Sequence, residues 1–236
     1  MGAAPTPLRR RTIRRPTWLV PLLAGIVLGA GIALLAAADH SRDTPRGSGV
    51  PAEQARAVPA FSAIDLAGSN IVTVRVGGRR AVVVHADDNL LSKVTTAVRS
   101  GRLVIDTTGS FSTRTPMRVA VTTPSLDALA LSGSGIVSVQ GVRAKTFAVT
   151  LPGSGLLRAG GSADRLVVTL SGSGLAQLGG LVARDARAVV AGSGRIDVTA
   201  TRTLRASVPG TGAIFYGGNP AHVRTSISGT GTIVAR

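Results

Sequence analysis

The chain has 236 residues, a formal net charge of +16, 44% hydrophobic residues, only 3% aromatic residues and no cysteine. The lack of cysteine excludes disulfides, thiolate metal sites, cysteine nucleophiles and a lipidated N-terminal cysteine. So few aromatic side chains leave a core of Val, Leu, Ile and Ala, which suits thin repeated layers better than one large globular core.

Residues 1–16 read as a basic cytoplasmic N-terminus, because Arg9, Arg10, Arg11, Arg14 and Arg15 stay inside by the positive-inside rule. From Trp18 to Ala38 there are 21 residues without a charge, enough for a helix to span the ~30 Å hydrocarbon core. Residues 17–38 are therefore expected to form a transmembrane anchor. The competing reading is a signal segment cleaved at Ala36-Ala37-Ala38, giving a secreted protein. Its apolar core exceeds the usual length of about 7–15 residues. Gly25 and Gly29 form a GxxxG, a spacing that permits self-association of two such helices. Residues 39–57, rich in Ser, Pro and Gly with mixed charge, predict a flexible linker.

Alternation of apolar and polar residues starts near Phe61. Ile64, Leu66, Val72 and Val74 flank Ala67-Gly68-Ser69-Asn70. Short β-branched runs at Val82–Val84, Leu103–Ile105 and Arg118–Val121 predict strands. Asp88 to Val98 is the one stretch with helical character, and its Val and Thr residues argue against it. Residues 58–126 are thus expected to be a β cap or the irregular first coils of a stack.

Residues 127–236 carry the phrase Gly-Ser/Thr-Gly six times, beginning at Gly133, Gly153, Gly172, Gly192, Gly210 and Gly229. A period near twenty marks a stacked-repeat architecture. Two positions before each first glycine stand Leu131, Leu151, Leu170, Val190, Val208 and Ile227, and four after it stand Val137, Leu157, Ala176, Ile196, Ile214 and Ile233. Polar residues fill the positions between. Period two on both sides of a glycine corner predicts two short strands joined by a tight bend. The glycines are expected to reach positive φ at that bend. The hydroxyls between them, Ser134, Ser154, Ser173, Ser193, Thr211 and Thr230, are expected to form a hydrogen-bonded surface ladder with a pitch of ~4.8 Å. Ile136, Leu156 and Leu175, three after the glycine, predict an apolar strip beside the ladder or tucked into the corner.

The same residues argue against chemistry. Each glycine phrase leads into a strand and not into a helix N-terminus, so a phosphate-binding loop is not expected. His40, His85 and His222 are scattered, and Asp127, Asp164, Asp185 and Asp197 occupy different positions of the repeat. Neither a metal set nor a carboxylate pair follows, and no cofactor is expected. Asp87-Asp88 reads as a turn. The basic charge is spread along the chain, which favours anionic envelope polymers, glycans or lipid head groups. Nucleic-acid binding is not expected, because no reading motif accompanies the charge.

The Leu/Val-x-Gly-Ser/Thr-Gly turns, the lead-in Arg118-Val-Ala-Val121-Thr-Thr-Pro124-Ser-Leu126, and the close Ile214-Phe-Tyr216-Gly-Gly-Asn-Pro220 with Ile227-Ser-Gly-Thr-Gly-Thr-Ile233 resemble the bacterial "putative auto-transporter adhesin, head GIN domain" family. The resemblance runs over about residues 58–236. It implies a right-handed parallel β-solenoid in the envelope or at the cell surface, and it carries over no catalytic residue. The expectation is an all-β solenoid (a β-helix) of ~19-residue coils, preceded by one transmembrane helix. It would act as a non-catalytic cell-envelope binding or structural module. The alternatives are a carbohydrate-active enzyme on a β-helix and an envelope sensor that signals to a partner through its anchor.

Overall fold

A computed structural model describes residues 44–236. These form fifteen strands in one continuous hydrogen-bonded system: β1 (Pro51–Ala55), β2 (Ala63–Leu66), β3 (Ile71–Val76), β4 (Ala81–Asp87), β5 (Val94–Arg99), β6 (Arg102–Thr107), β7 (Arg118–Thr123), β8 (Ala128–Leu131), β9 (Ile136–Leu151), β10 (Leu156–Leu170), β11 (Leu175–Val190), β12 (Arg195–Val208), β13 (Ala213–Gly217), β14 (His222–Ile227) and β15 (Thr232–Ala235).

From β8 onward every pairing is parallel, and each coil lies one period above the last. This is the expected parallel β-solenoid. A coil has two faces. In β10, Leu157 and Ala159 point inward from the first face, and Leu166, Val168 and Leu170 from the second, with Ala163 in the bend between them. Aligned columns from successive coils make one continuous core, whose largest fully buried side chain is Phe147. Alternation puts every second side chain inside, so a column of aliphatics is covered by the coils above and below.

Chain order and stacking order differ in the first half. The coil made by β2 and β3 lies directly under β8 and β9, with Ile64 opposite Leu129 and Val72 opposite Val137. Its corner at Gly68 carries the first Gly-Ser-Gly, since Gly133 N–H donates to Leu66 O and Ile136 N–H to Asn70 O. The later strands β6 and β7 stack on the other side of that coil. Antiparallel strands β4, β5 and β1 then finish this end of the stack. Asp88–Lys93 is a short 3-10 helix, and the strand β5 follows at Val94.

The flexible linker expected over 39–57 does not hold for its second part. Pro51–Ala55 is strand β1, paired antiparallel with β4, and Gly47 N–H donates to Ser112 O at 2.7 Å. The cause is Asp87, which is fully buried and is not the turn residue expected of it. Its carboxylate accepts from Gly49 N, Arg114 N and Thr115 Oγ1 at 2.9–3.0 Å, and from Thr115 N at 3.4 Å. Burial alone would raise this carboxyl's pKa, but the hydrogen bonds prevail and hold it below the ordinary value. The transmembrane span expected at 17–38 lies outside the described residues. Among the described residues no helix is long and apolar enough to cross a membrane.

Candidate functional site

The recurring surface feature is the glycine corner. None of the Gly-Ser/Thr-Gly glycines has positive φ; the glycines that do are Gly49, Gly77, Gly101, Gly109, Gly141, Gly161 and Gly218. The expectation of left-handed corners is therefore overturned. These glycines are required by close approach between coils. A Cβ on Gly172 would collide with Gly153 O and Pro152 O, and one on Gly174 would come within 2.6 Å of Gly155 O. The carbonyl facing the second glycine of each corner is also the acceptor that ties the corners together. Gly135 O, Gly155 O, Gly174 O, Gly194 O and Gly212 O each accept an N–H from the next coil at 3.0–3.1 Å. A side chain would push apart the bonds that set the spacing.

Between the glycines, Ser134, Ser154, Ser173, Ser193, Thr211 and Thr230 are all exposed. They form the expected column but not a continuous hydrogen-bonded ladder. Among the described residues one step joins two hydroxyls: Thr211 Oγ1 donates to Ser193 Oγ at 2.9 Å. Backbone bonds already set the coil pitch, so the other hydroxyls remain open to solvent.

Beside this column runs the apolar strip. Ile136 is 37% exposed, while Leu156 and Leu175 are half-buried. Ile71 pairs with Ile136 and adds a fourth aliphatic in line, and Arg195 ends the strip at the other side. Near that end, Phe215 lies between the Arg195 and Arg236 guanidiniums at 4.1 and 4.3 Å from its ring centre, and both arginines also contact Asp197.

One set of residues was not singled out from the sequence. On the second face Val167, Arg187, Arg205 and Arg224 occupy one register column. The three arginines stand five residues before Gly192, Gly210 and Gly229. That constant offset was the signal that could have found them. In the adjacent column Asp185 pairs with Arg202, whose Nε donates to Oδ1 at 2.9 Å. The Arg202 hydrogen bond outweighs burial and lowers the Asp185 pKa.

Among the described residues no three His, Cys, Asp or Glu side chains are grouped to hold a metal. Asp185 and Asp197 lie on different faces, and each is held by arginine. His85 is paired with Glu53 at 2.9 Å, near the β1–β4 edge.

A family profile described as "Putative auto-transporter adhesin, head GIN domain" matches residues 60–220. The chain belongs to this family. Its solved relatives include a putative adhesin from Bacteroides fragilis NCTC 9343, with 23% identity, a TM-score of 0.67, and coverage of 81% of this chain and 99% of that one. A putative adhesin from Parabacteroides distasonis ATCC 8503 has 23% identity and a TM-score of 0.55, covering 82% and 100%. A putative lipid binding protein from the same strain has 24% identity and a TM-score of 0.52, covering 81% and 98%. At these identities the likeness establishes the fold. A comparison with curated proteins gives no match.

Proposed function

We propose that the chain is a non-catalytic, adhesin-like module of the cell envelope, held at the membrane by residues 17–38, which binds through its repeated outward faces. The observation that carries this is the corner edge, where an exposed hydroxyl recurs once per coil and the aliphatics Ile71, Ile136, Leu156 and Leu175 run beside it in fixed register over the first coils. Weak contacts repeated along one rigid edge add up by avidity, because each further contact is intramolecular. Two of the relatives are described as putative adhesins, which agrees with a binding role. Display through an N-terminal anchor would leave the solenoid outside the cytoplasm.

The test is retention of purified cell-wall and capsular glycans by the full chain in vesicles, compared with the Ser154→Ala/Ser173→Ala variant. Saturable retention without cleavage, reduced by about tenfold in the variant, is expected. Turnover of any glycan overturns the reading. Unchanged retention in the variant moves the binding surface away from the corner.

A further inference from the structure

The outward column five residues before each corner changes character along the stack. In stacking order it reads Arg102, Ala63, Ala128, Ala148, Val167, Arg187, Arg205, Arg224. The last three arginines are exposed and lie on successive coils, at a pitch of ~4.8 Å. Like charges opposite one another on paired strands destabilise a sheet. Most columns of the solenoid avoid this arrangement. The column containing Asp185 places Arg165 opposite it, and Arg202 binds Asp185 as well. The side chains of Arg187, Arg205 and Arg224 make no ion pair, hydrogen bond or ring contact among the described residues.

The three arginines border a concavity of about 400 Å³ that Ser207 and Ser226 also line. These serines share the neighbouring register column with Val189. Arg205 also lines a second concavity of about 370 Å³ with Arg165, Asp185 and Arg202. Asp185, two residues before Arg187, is bonded to Arg202 and not to the arginine column.

We infer that Arg187, Arg205 and Arg224 form a binding site for a linear carboxylate-bearing polysaccharide that runs along the solenoid axis. A guanidinium binds a carboxylate through two parallel hydrogen bonds. A polyuronate carries one carboxylate per sugar, so a strand laid along the column brings several carboxylates within reach of long guanidinium side chains that recur at the ~4.8 Å spacing of the coils. Ser207 and Ser226 supply hydroxyls to the ring oxygens beside each carboxylate. A nucleic acid fits less well, because no aromatic side chain stands on the column to stack a base. The inference rests on the binding-module reading, adds a second binding surface to the corner edge, and names its ligand class.

The test uses the full chain in neutral vesicles, with polygalacturonate as the probe and dextran and single-stranded DNA beside it. The Arg187→Gln/Arg205→Gln/Arg224→Gln variant is expected to lose about a hundredfold in polygalacturonate affinity, at roughly tenfold for each of two to three charge-assisted contacts. A variant with the same net charge, Arg75→Gln/Arg99→Gln/Arg143→Gln, is expected to stay within about threefold of the parent. Val167→Arg, which extends the column by one coil, is expected to tighten binding severalfold and provides a gain that misfolding cannot mimic. Equal losses in the two triple variants, no gain from Val167→Arg, or stronger retention of DNA than of polygalacturonate would each overturn the site. Retention of dextran or cell-wall glycans without polygalacturonate sinks this inference alone. Retention of no polymer at all sinks the binding-module reading with it.

Discussion

The regular coils and the antiparallel end of the stack are held by different means. Coils β9 to β12 are kept together by something repeated: glycine corners whose carbonyls accept from the next coil, and aliphatic columns that each coil extends by one layer. The β1 and β4 end is centred on one buried carboxylate, with Asn89 and Ser112 adding bonds to residues 45–48. Asp87 gathers residues 47–49, residues 114–115 and the end of β4 into a single knot. In the repeated region no contact is unique, so loss of one is shared with its neighbours. In the knot a single group fixes three segments that are distant in sequence.

The contrast can be broken most strongly in the coils. Phe147→Ala empties the largest buried position of a coil and is expected to cost about 3–5 kcal/mol, read as a shift in the urea midpoint. Gly172→Ala drives a methyl into Gly153 O and is expected to cost about 3 kcal/mol. Gly179→Ala, in the same strand system, meets nothing within 4 Å and should stay within about 0.5 kcal/mol of the parent. Equal losses at these two glycines would show that coil-to-coil approach does not explain the corner, since reduced unfolded-chain entropy alone would make both changes mildly stabilising.

Asp87→Asn should lower the melting temperature by less than either change and should act on the knot alone. The Asp87 pKa is lowered in the folded state, so its contribution is fully present above the ordinary value of 3.8 and is lost as pH falls below it, through the folded value. In the parent, amide exchange of β1 and β4 should therefore accelerate in acid before that of β10 and β11. In Asp87→Asn that acid step should vanish. Asp185 shifts in the same direction, so a residual acid dependence of the coils is expected. The smallest effect belongs to Ser154→Ala/Ser173→Ala. Both hydroxyls are exposed and neither bonds to a neighbouring rung, so the melting temperature should barely move.

The regular coils were readable because their information is local and restated six times. Leu157, Leu170 and Ile196 could be placed inside from spacing alone. The role of the glycines was harder. A sequence shows that a Cβ is forbidden but not whether the cause is a left-handed turn or a carbonyl from the next coil. The arginine column was visible in principle at a fixed distance before each corner, yet Arg187, Arg205 and Arg224 become neighbours only once the register is known. The knot at Asp87 was not readable. Gly49, Arg114 and Thr115 come together through strand order, and no local pattern records that.

Successive coils differ in length, and the register shows where the difference is absorbed. The offsets change between Ala159 and Gly161, between Leu178 and Val182, and between Ala183 and Asp185, all in the bend joining the two faces. From Leu170 to Leu175 and from Val190 to Arg195 the corner keeps one length. Differences of one to three residues between successive coils are thus taken up in that bend, and the corner keeps its length from coil to coil. The surface columns can therefore exchange one side chain for another over generations while their spacing stays constant.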